Sequence, residues 1–305
     1  MRKAYEASAI LLTILILLVI IHYMYANITE ELYKRSQAIQ EITTTTNNRI
    51  ILVVNKTINE WKKIYRDYII YSDKMIKEQQ VVTGEYNMAQ LLEIIENANS
   101  SVVIRKFYFY DDVINKYVVL EVVIPTFVVE LHEKDMPEWG TDPIIKEIAE
   151  TLKKYVEEYP SNYTEYRLAI TILDIAAEIH YKWSPRSYDL LLEIVYNEGN
   201  CGSKSDLAID LAAEAGLWSA YIEVKACKAN EFTTNHECVA IAINNPPPWL
   251  KGYFNFTWHN HTFYIAELSA EYQPIFLNKP YPCSYVGTIV APHWQETYDI
   301  DKPLW

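Results

Sequence analysis

Glycine is scarce in this chain, with 7 residues in 305, whereas tyrosine occurs 25 times. A flexible, low-complexity chain has the opposite composition, so this chain is expected to be ordered. Positive charge is also in short supply, because 27 lysines and arginines stand against 40 aspartates and glutamates. A nucleic-acid-binding protein needs a basic face for phosphates, so nucleic acid is excluded as a partner. Half of the residues are hydrophobic, enough for one substantial core with added elements.

Charged side chains are missing altogether from residues 7–25, ASAILLTILILLVIIHYMY. This run is about long enough to cross a ~30 Å hydrocarbon core as a helix. Arg2 and Lys3 precede it, which places the N-terminal side in the cytoplasm. A cleaved signal peptide is the alternative, although its apolar region is typically only ~7–15 residues long. We therefore predict a single-pass anchor in the lipid bilayer, with the rest of the chain outside.

Glycosylation sequons are more frequent than chance, which would give roughly two in this chain. The six sequons begin at Asn27, Asn55, Asn99, Asn162, Asn255 and Asn260. The set fits an exported chain that is glycosylated where the organism has the machinery.

Between the anchor and residue 140, the periodicity changes from helical to extended. Apolar residues recur at three- and four-residue steps between Ile58 and Ile69, which predicts a mostly helical stalk over residues 27–98 after a tip and anchor over 1–26. Helices that fold back onto the main domain are the alternative. β-branched and aromatic residues dominate 101–112 and 116–132, which predicts a β-hairpin or small sheet within 99–140.

Residues 141–305 are predicted to form the main domain, of the α+β class. Helical periodicity covers 144–152 and 166–181, and Ser184 and Pro185 are typical of a helix start. A further helix is predicted from Cys201 to just before Gly216. The residue pattern then alternates with a period of two, which predicts three strands over 219–227, 236–244 and 261–268. This order predicts helices packed on an antiparallel sheet.

Cys201 lies at the first turn of the predicted helix, in the sequence GNCGS. The free N–H groups and the positive end of the helix dipole stabilise a thiolate there and lower its pKa. Asn200 can cap the helix, and Gly199 and Gly202 can let a substrate carbonyl approach the backbone. A catalytic thiolate also needs a base, normally a histidine oriented by a carboxylate or amide.

Two later strands supply candidates for these roles. His236 opens the strand HECVAIAIN, and Glu267 lies in the following strand, FYIAEL. His259 and His261 are two residues apart on one predicted strand and could hold a metal, but no set of Cys, Asp or Glu has ligand spacing around them, so no metal is predicted.

This order of residues resembles the transglutaminase-like superfamily, whose papain-like core has a Cys at a helix start, a His on the next strand pair and an Asp on the strand after. The resemblance covers about residues 160–270, and GNCGSKSDLAIDLAAEAGLWSAYIEV and NHECVAIAIN carry it. It implies that Cys201 is the nucleophile, His236 the base and Glu267 the third member, at a position where Asp is usual.

The resemblance also implies an activity. The chain would be a membrane-anchored, outward-facing thiol acyltransferase or hydrolase that acts on protein or peptide amides through a thioester. Water or a lysine amine would be the acceptor, and the residues do not decide between them. No cofactor is implied, since calcium belongs to only part of the superfamily.

Other interpretations of these residues stay open. Cys201 could be a packing residue or form a disulfide, although Cys227 and Cys238 face each other better across the predicted hairpin. Tyr196 and Trp218 could wall a cleft or belong to the core. A catalytically silent transglutaminase-like binding or assembly module is the alternative function.

Overall fold

A computed structural model describes residues 49–81, 85–183, 189–227, 236–269, 275–277 and 283–300. Within these ranges, none of the helices combines the length and the apolar character that a membrane span requires. The predicted anchor, residues 7–25, lies outside the described residues.

The first described elements include an amphipathic helix that packs into the main core. They are β1 (Arg49–Val54), α1 (Ile58–Gln79) and α2 (Met88–Asn97). Helix α1 begins at the N-cap Thr57, whose side chain and that of Glu60 form a capping box. Its buried face carries Trp61 and Tyr65, and the Tyr65 hydroxyl donates a hydrogen bond to Asp142. The division of the chain at residues 98 and 140 stays a prediction.

The predicted β-hairpin is present, but its second strand is shorter than expected. It consists of β2 (Val102–Asp111) and β3 (Lys116–Pro125), and β1 pairs with the other edge of β3. The strand predicted to run to residue 132 ends at Pro125, and helix α3 (Thr126–Glu133) follows. Proline has no N–H to extend the ladder, and here it occupies the N-cap position of the helix.

Four helices follow, each with a recognisable boundary signal. They are α4 (Pro143–Glu158), α5 (Thr164–Glu178), α6 (Leu190–Tyr196) and α7 (Cys201–Ala215). Asp142 caps α4 and Asp189 caps α6, whereas the predicted start at residues 184–185 lies outside the described residues. Helix α7 runs as predicted, from the N-cap Asn200 to Gly216, which has a φ of 89°.

An antiparallel sheet completes the domain. Its strands are β4 (Ser219–Cys227), β5 (His236–Ala242), β6 (Asn255–Trp258), β7 (His261–Glu267), β8 (Ile275–Phe276), β9 (Cys283–Val290) and β10 (Thr297–Ile300). They follow the order β10-β9-β4-β5-β7-β6, with β8 paired to β7. The α+β class with an antiparallel sheet is confirmed, and β6, β8, β9 and β10 add to the three predicted strands.

The two faces of this sheet are both covered. Val239 and Ile241 of β5 share a hydrophobic cluster with Leu207 of α7, so the helices pack on that face. Ala240 and Ile265 belong to a second cluster on the opposite face. Successive side chains of these strands therefore point to opposite faces of the sheet, and each face carries an apolar layer.

Candidate active site

Cys201 is the first residue of α7, and its thiol is free and half-buried. The Asn200 side chain accepts a hydrogen bond from the Ser203 N–H at 3.0 Å, and the Ser203 hydroxyl accepts one from the Asn200 N–H at 3.0 Å. This reciprocal cap fixes the first turn of the helix. The N–H groups and the dipole of that turn are therefore held next to the sulfur.

His236 and Glu267 lie together where strands β5 and β7 separate. Their pairing ends at Val239 and Ala266, so Glu267 comes directly after the last pair. The His236 Nε2 atom is hydrogen-bonded to Glu267 Oε2. The other oxygen of Glu267 accepts a hydrogen bond from the Ser269 N–H at 2.8 Å. Both carboxylate oxygens are thus fixed, and the carboxylate orients the imidazole.

The environment of Cys201 favours its thiolate. Burial alone raises the pKa of the thiol, but a hydrogen bond from His236, a second from the Glu237 N–H and the charge of His236 outweigh it. The pKa of Cys201 therefore lies below its ordinary value. The structure thus brings the three predicted residues into one hydrogen-bonded set.

The same contacts shift the pKa values of the other two members. Hydrogen bonds with Cys201, Cys238 and Glu267 raise the pKa of His236 far above its ordinary value. Burial opposes ionisation of Glu267, but hydrogen bonds from His236 and Ser269 lower its pKa to about 2. These directions describe an imidazolium that is hydrogen-bonded to a carboxylate and to a thiolate.

A second thiol contacts the same groups. Cys238 is buried and free, with its Sγ atom 3.6 Å from Glu267 Oε2, and burial raises its pKa to about 11. The expected pairing of Cys227 with Cys238 is wrong, because Ile222 lies opposite Cys238. The backbone partner of Cys227 is Cys283.

Two sets of described residues have the donor atoms to hold a metal. His236, Cys238 and Glu267 form one set, with ligand atoms within 4.8 Å of one another. The second set lies elsewhere, around His132. His259 and His261 belong to neither set. They do not share one strand as predicted, because His259 lies in a turn with a φ of 44° and only His261 is in β7.

Tyr181 is a member of the site that the sequence did not reveal. Its side chain hydrogen-bonds Cys201 and is 42% exposed. The Lys182 N–H donates to the Gly199 carbonyl at 2.8 Å, and the Gly199 N–H donates to the His180 carbonyl at 3.0 Å. These two backbone bonds fix Tyr181 beside the loop that leads into Cys201. No local sequence signal encodes this contact.

Gly199 and Gly202 make room for side chains of this chain. A Cβ atom on Gly199 would lie 2.0 Å from Glu193 Oε1, and one on Gly202 would lie 2.0 Å from Glu237 Oε2. The sequence predicted space for a substrate carbonyl at these positions. The carboxylate groups of Glu193 and Glu237 occupy that space instead. Both positions therefore need glycine because a side chain would collide with these carboxylates.

The aromatic residues considered as cleft walls lie elsewhere. The Tyr196 hydroxyl is hydrogen-bonded to Glu133. Trp218 packs on Trp258 and His261, with the second cluster of the sheet. Tyr196 packs against the main hydrophobic cluster and Trp218 against the second, so both residues serve packing.

Comparison with protein-family models gives no match, and comparison with curated proteins gives none either. Among solved structures, a proposed cysteine protease from Cytophaga hutchinsonii matches with 15% identity and a TM-score of 0.23. The match covers 50% of this chain and 54% of that chain, about half of each. At this TM-score the match carries no weight for the chemistry of the site.

Proposed function

We propose that this chain is a transglutaminase-like thiol enzyme that acts on protein or peptide amides, with Cys201 as nucleophile, His236 as acid and base, and Glu267 as the residue that orients His236. One observation carries the proposal. A thiol at the capped N-terminus of a helix is hydrogen-bonded to an imidazole that is also hydrogen-bonded to a buried carboxylate. This is the arrangement that nucleophilic acyl transfer requires.

The reaction follows from the protonation states of the pair. The Cys201 thiolate adds to the carbonyl carbon, and N–H groups at the start of α7 stabilise the oxyanion. The C–N bond then breaks, and the His236 imidazolium gives its proton to the departing amine, which leaves a thioester. His236 next takes a proton from water or from an amine as that acceptor attacks the thioester. The products are a carboxylic acid or a new amide and the restored thiol.

The proposed location rests on the sequence outside the described residues. Residues 7–25 would span the lipid bilayer once, with Arg2 and Lys3 on the cytoplasmic side. The domain that carries Cys201 would then face outward and meet protein or peptide substrates there.

The proposal is tested with the full-length chain in detergent micelles. A casein substrate and a fluorescent primary amine are supplied together, and both amine incorporation and peptide release are measured. We expect one of these products from the wild type, none from Cys201→Ala, and a loss of at least about a hundredfold in His236→Ala. Glu93→Gln, on an exposed face of α2, is the control and keeps activity. Equal product from Cys201→Ala and wild type would overturn the proposal.

A second candidate is a transglutaminase-like binding or assembly module without chemistry. The observation that favours it is Cys238, because a buried thiol shares the His236 and Glu267 contacts and so completes a structural polar cluster. This candidate predicts that Cys201 is inert and that Cys201→Ala leaves partner binding unchanged.

A further inference from the structure

A second cluster of ionisable groups surrounds His132 of α3, which is only 3% exposed. The His132 Nδ1 atom lies 2.9 Å from Asp189 Oδ2 and 3.0 Å from Glu138 Oε1. Its Nε2 atom lies 3.1 Å from Asp142 Oδ2. Three carboxylates therefore converge on one imidazole ring, two from the loop before α4 and one from the start of α6.

Two of these carboxylates are fixed by contacts of their own. Asp142 caps α4 through the Ile144 N–H and also accepts a hydrogen bond from the Tyr65 hydroxyl at 2.8 Å. Asp189 caps α6 by accepting from the Leu192 N–H at 2.9 Å, through the oxygen that does not face His132. The positions of the ring and of these two carboxylates are therefore set before any ligand arrives.

Negative charge exceeds positive charge in this cluster. A ring nitrogen carries at most one proton, so Nδ1 can donate to only one of its two carboxylate neighbours at a time. In the part of the chain that the structure describes, no lysine or arginine forms an ion pair with Glu138, Asp142 or Asp189. Asp142 is buried and Asp189 is half-buried, and carboxylates held close together in such places are costly without further compensating positive charge.

From these contacts we infer that His132, Glu138 and Asp189 bind a Zn²⁺ ion, with His132 Nδ1 as the nitrogen ligand and Asp142 as the carboxylate that orients the ring. One imidazole and two carboxylates, supported by a carboxylate behind the imidazole, are a donor set that zinc uses. Calcium and magnesium prefer all-oxygen sites with more ligands, and so fit it less well.

The distances are compatible with such an ion. Zn–N and Zn–O bonds of about 2.0–2.1 Å in a tetrahedron place the ligand atoms roughly 3.3 Å apart. The Nδ1–oxygen separations of 2.9 and 3.0 Å have to widen by only a few tenths of an ångström. The Glu138 side chain is 44% exposed, so it can adjust, and water can take the fourth position on that side.

A bound ion would join three segments of the chain. It would connect α3 with the loop before α4 and with the start of α6, the helix that precedes Cys201. The site uses none of the proposed catalytic residues. The inference therefore stands independently of the proposed function.

The test is zinc binding by the full-length, metal-stripped chain in micelles. Zn²⁺ is titrated, and bound zinc per chain and the thermal midpoint are both measured. We expect one ion bound through this site and a higher midpoint. Glu138→Gln and Asp189→Asn should weaken binding at least about tenfold. Glu130→Gln, an exposed carboxylate on the same helix as His132, should leave it unchanged.

The thiol set at His236 needs its own control, because it could also take up zinc. Cys238→Ser should keep the zinc that Glu138→Gln loses, and the Co²⁺ complex of the His132 site should lack a thiolate-to-metal charge-transfer band. The inference is overturned if the wild type binds no zinc. It is equally overturned if Glu138→Gln binds as tightly as wild type, or if uptake disappears only in Cys238→Ser.

Discussion

His236 Nε2 and Glu267 Oε2 are hydrogen-bonded across the point where β5 and β7 stop pairing. The strand ladder thus positions the two backbones, and at its end Glu267 contacts His236, which in turn is hydrogen-bonded to Cys201. A glutamate fits here because its second oxygen is also held, by Ser269. The site therefore depends on strand register as much as on residue type.

Glu267→Gln should destabilise the protein in a pH-dependent way. The folded-state pKa of Glu267 is about 2, below its ordinary value of 4.5, so ionised Glu267 contributes stability above pH 4.5. That contribution is lost as the pH falls from 4.5 towards 2. We expect a loss on the order of 2 kcal/mol near neutral pH in urea unfolding, shrinking in acid. Glu93→Gln, on an exposed face of α2, is the control. If the free energies of unfolding of wild type and Glu267→Gln differ by the same amount at every pH, the lowered pKa of Glu267 is contradicted.

Tyr181→Phe should make the Cys201 thiolate harder to form. The hydroxyl hydrogen-bonds Cys201, and its removal takes one donor from the sulfur. One hydrogen bond is worth about 0.5–1.5 kcal/mol, so the alkylation midpoint of Cys201 should rise by roughly half a unit to one pH unit. Tyr71→Phe, on the exposed side of α1, provides the matched control. An unchanged midpoint in Tyr181→Phe would remove this residue from the site.

Gly287→Ala should be strongly destabilising. A Cβ atom at this position in β9 would lie 2.4 Å from the Tyr221 carbonyl oxygen of the adjacent strand β4. Backbone in the middle of a sheet cannot move away cheaply, so we expect a loss of about 1–3 kcal/mol in the free energy of unfolding. Gly252→Ala has open space around its Cβ and should cost far less. Equal effects of the two substitutions would contradict the strand packing described above.

Helix α7 was predictable because its signals are local. Asn200 at the start and Gly216 at the end mark its boundaries in the sequence, and the period of two marks the strands that follow. The prediction that the strand continues beyond Pro125 was wrong. The β-branched residues there lie in a helix, because such residues also suit a buried helix face. Local propensity does not distinguish these two buried environments.

Contacts between distant segments were not predictable in the same way. Tyr181 reaches Cys201 through a backbone pairing with Gly199, and His132 meets Asp189 from a different helix. Cys238 lies opposite Ile222 because of a strand register that sequence spacing alone does not fix. Each of these features is a property of tertiary packing.

The central claim, an activated Cys201–His236 pair, is tested most directly by the pH dependence of iodoacetamide labelling in the full-length chain, with peptide mapping. The lowered pKa of Cys201 predicts rapid labelling well below the ~8.5 of an ordinary thiol. His236→Ala should move this profile to higher pH, and buried Cys238 should label slowly in both proteins. Slow labelling of Cys201 with an ordinary thiol profile, unchanged in His236→Ala, would contradict the account.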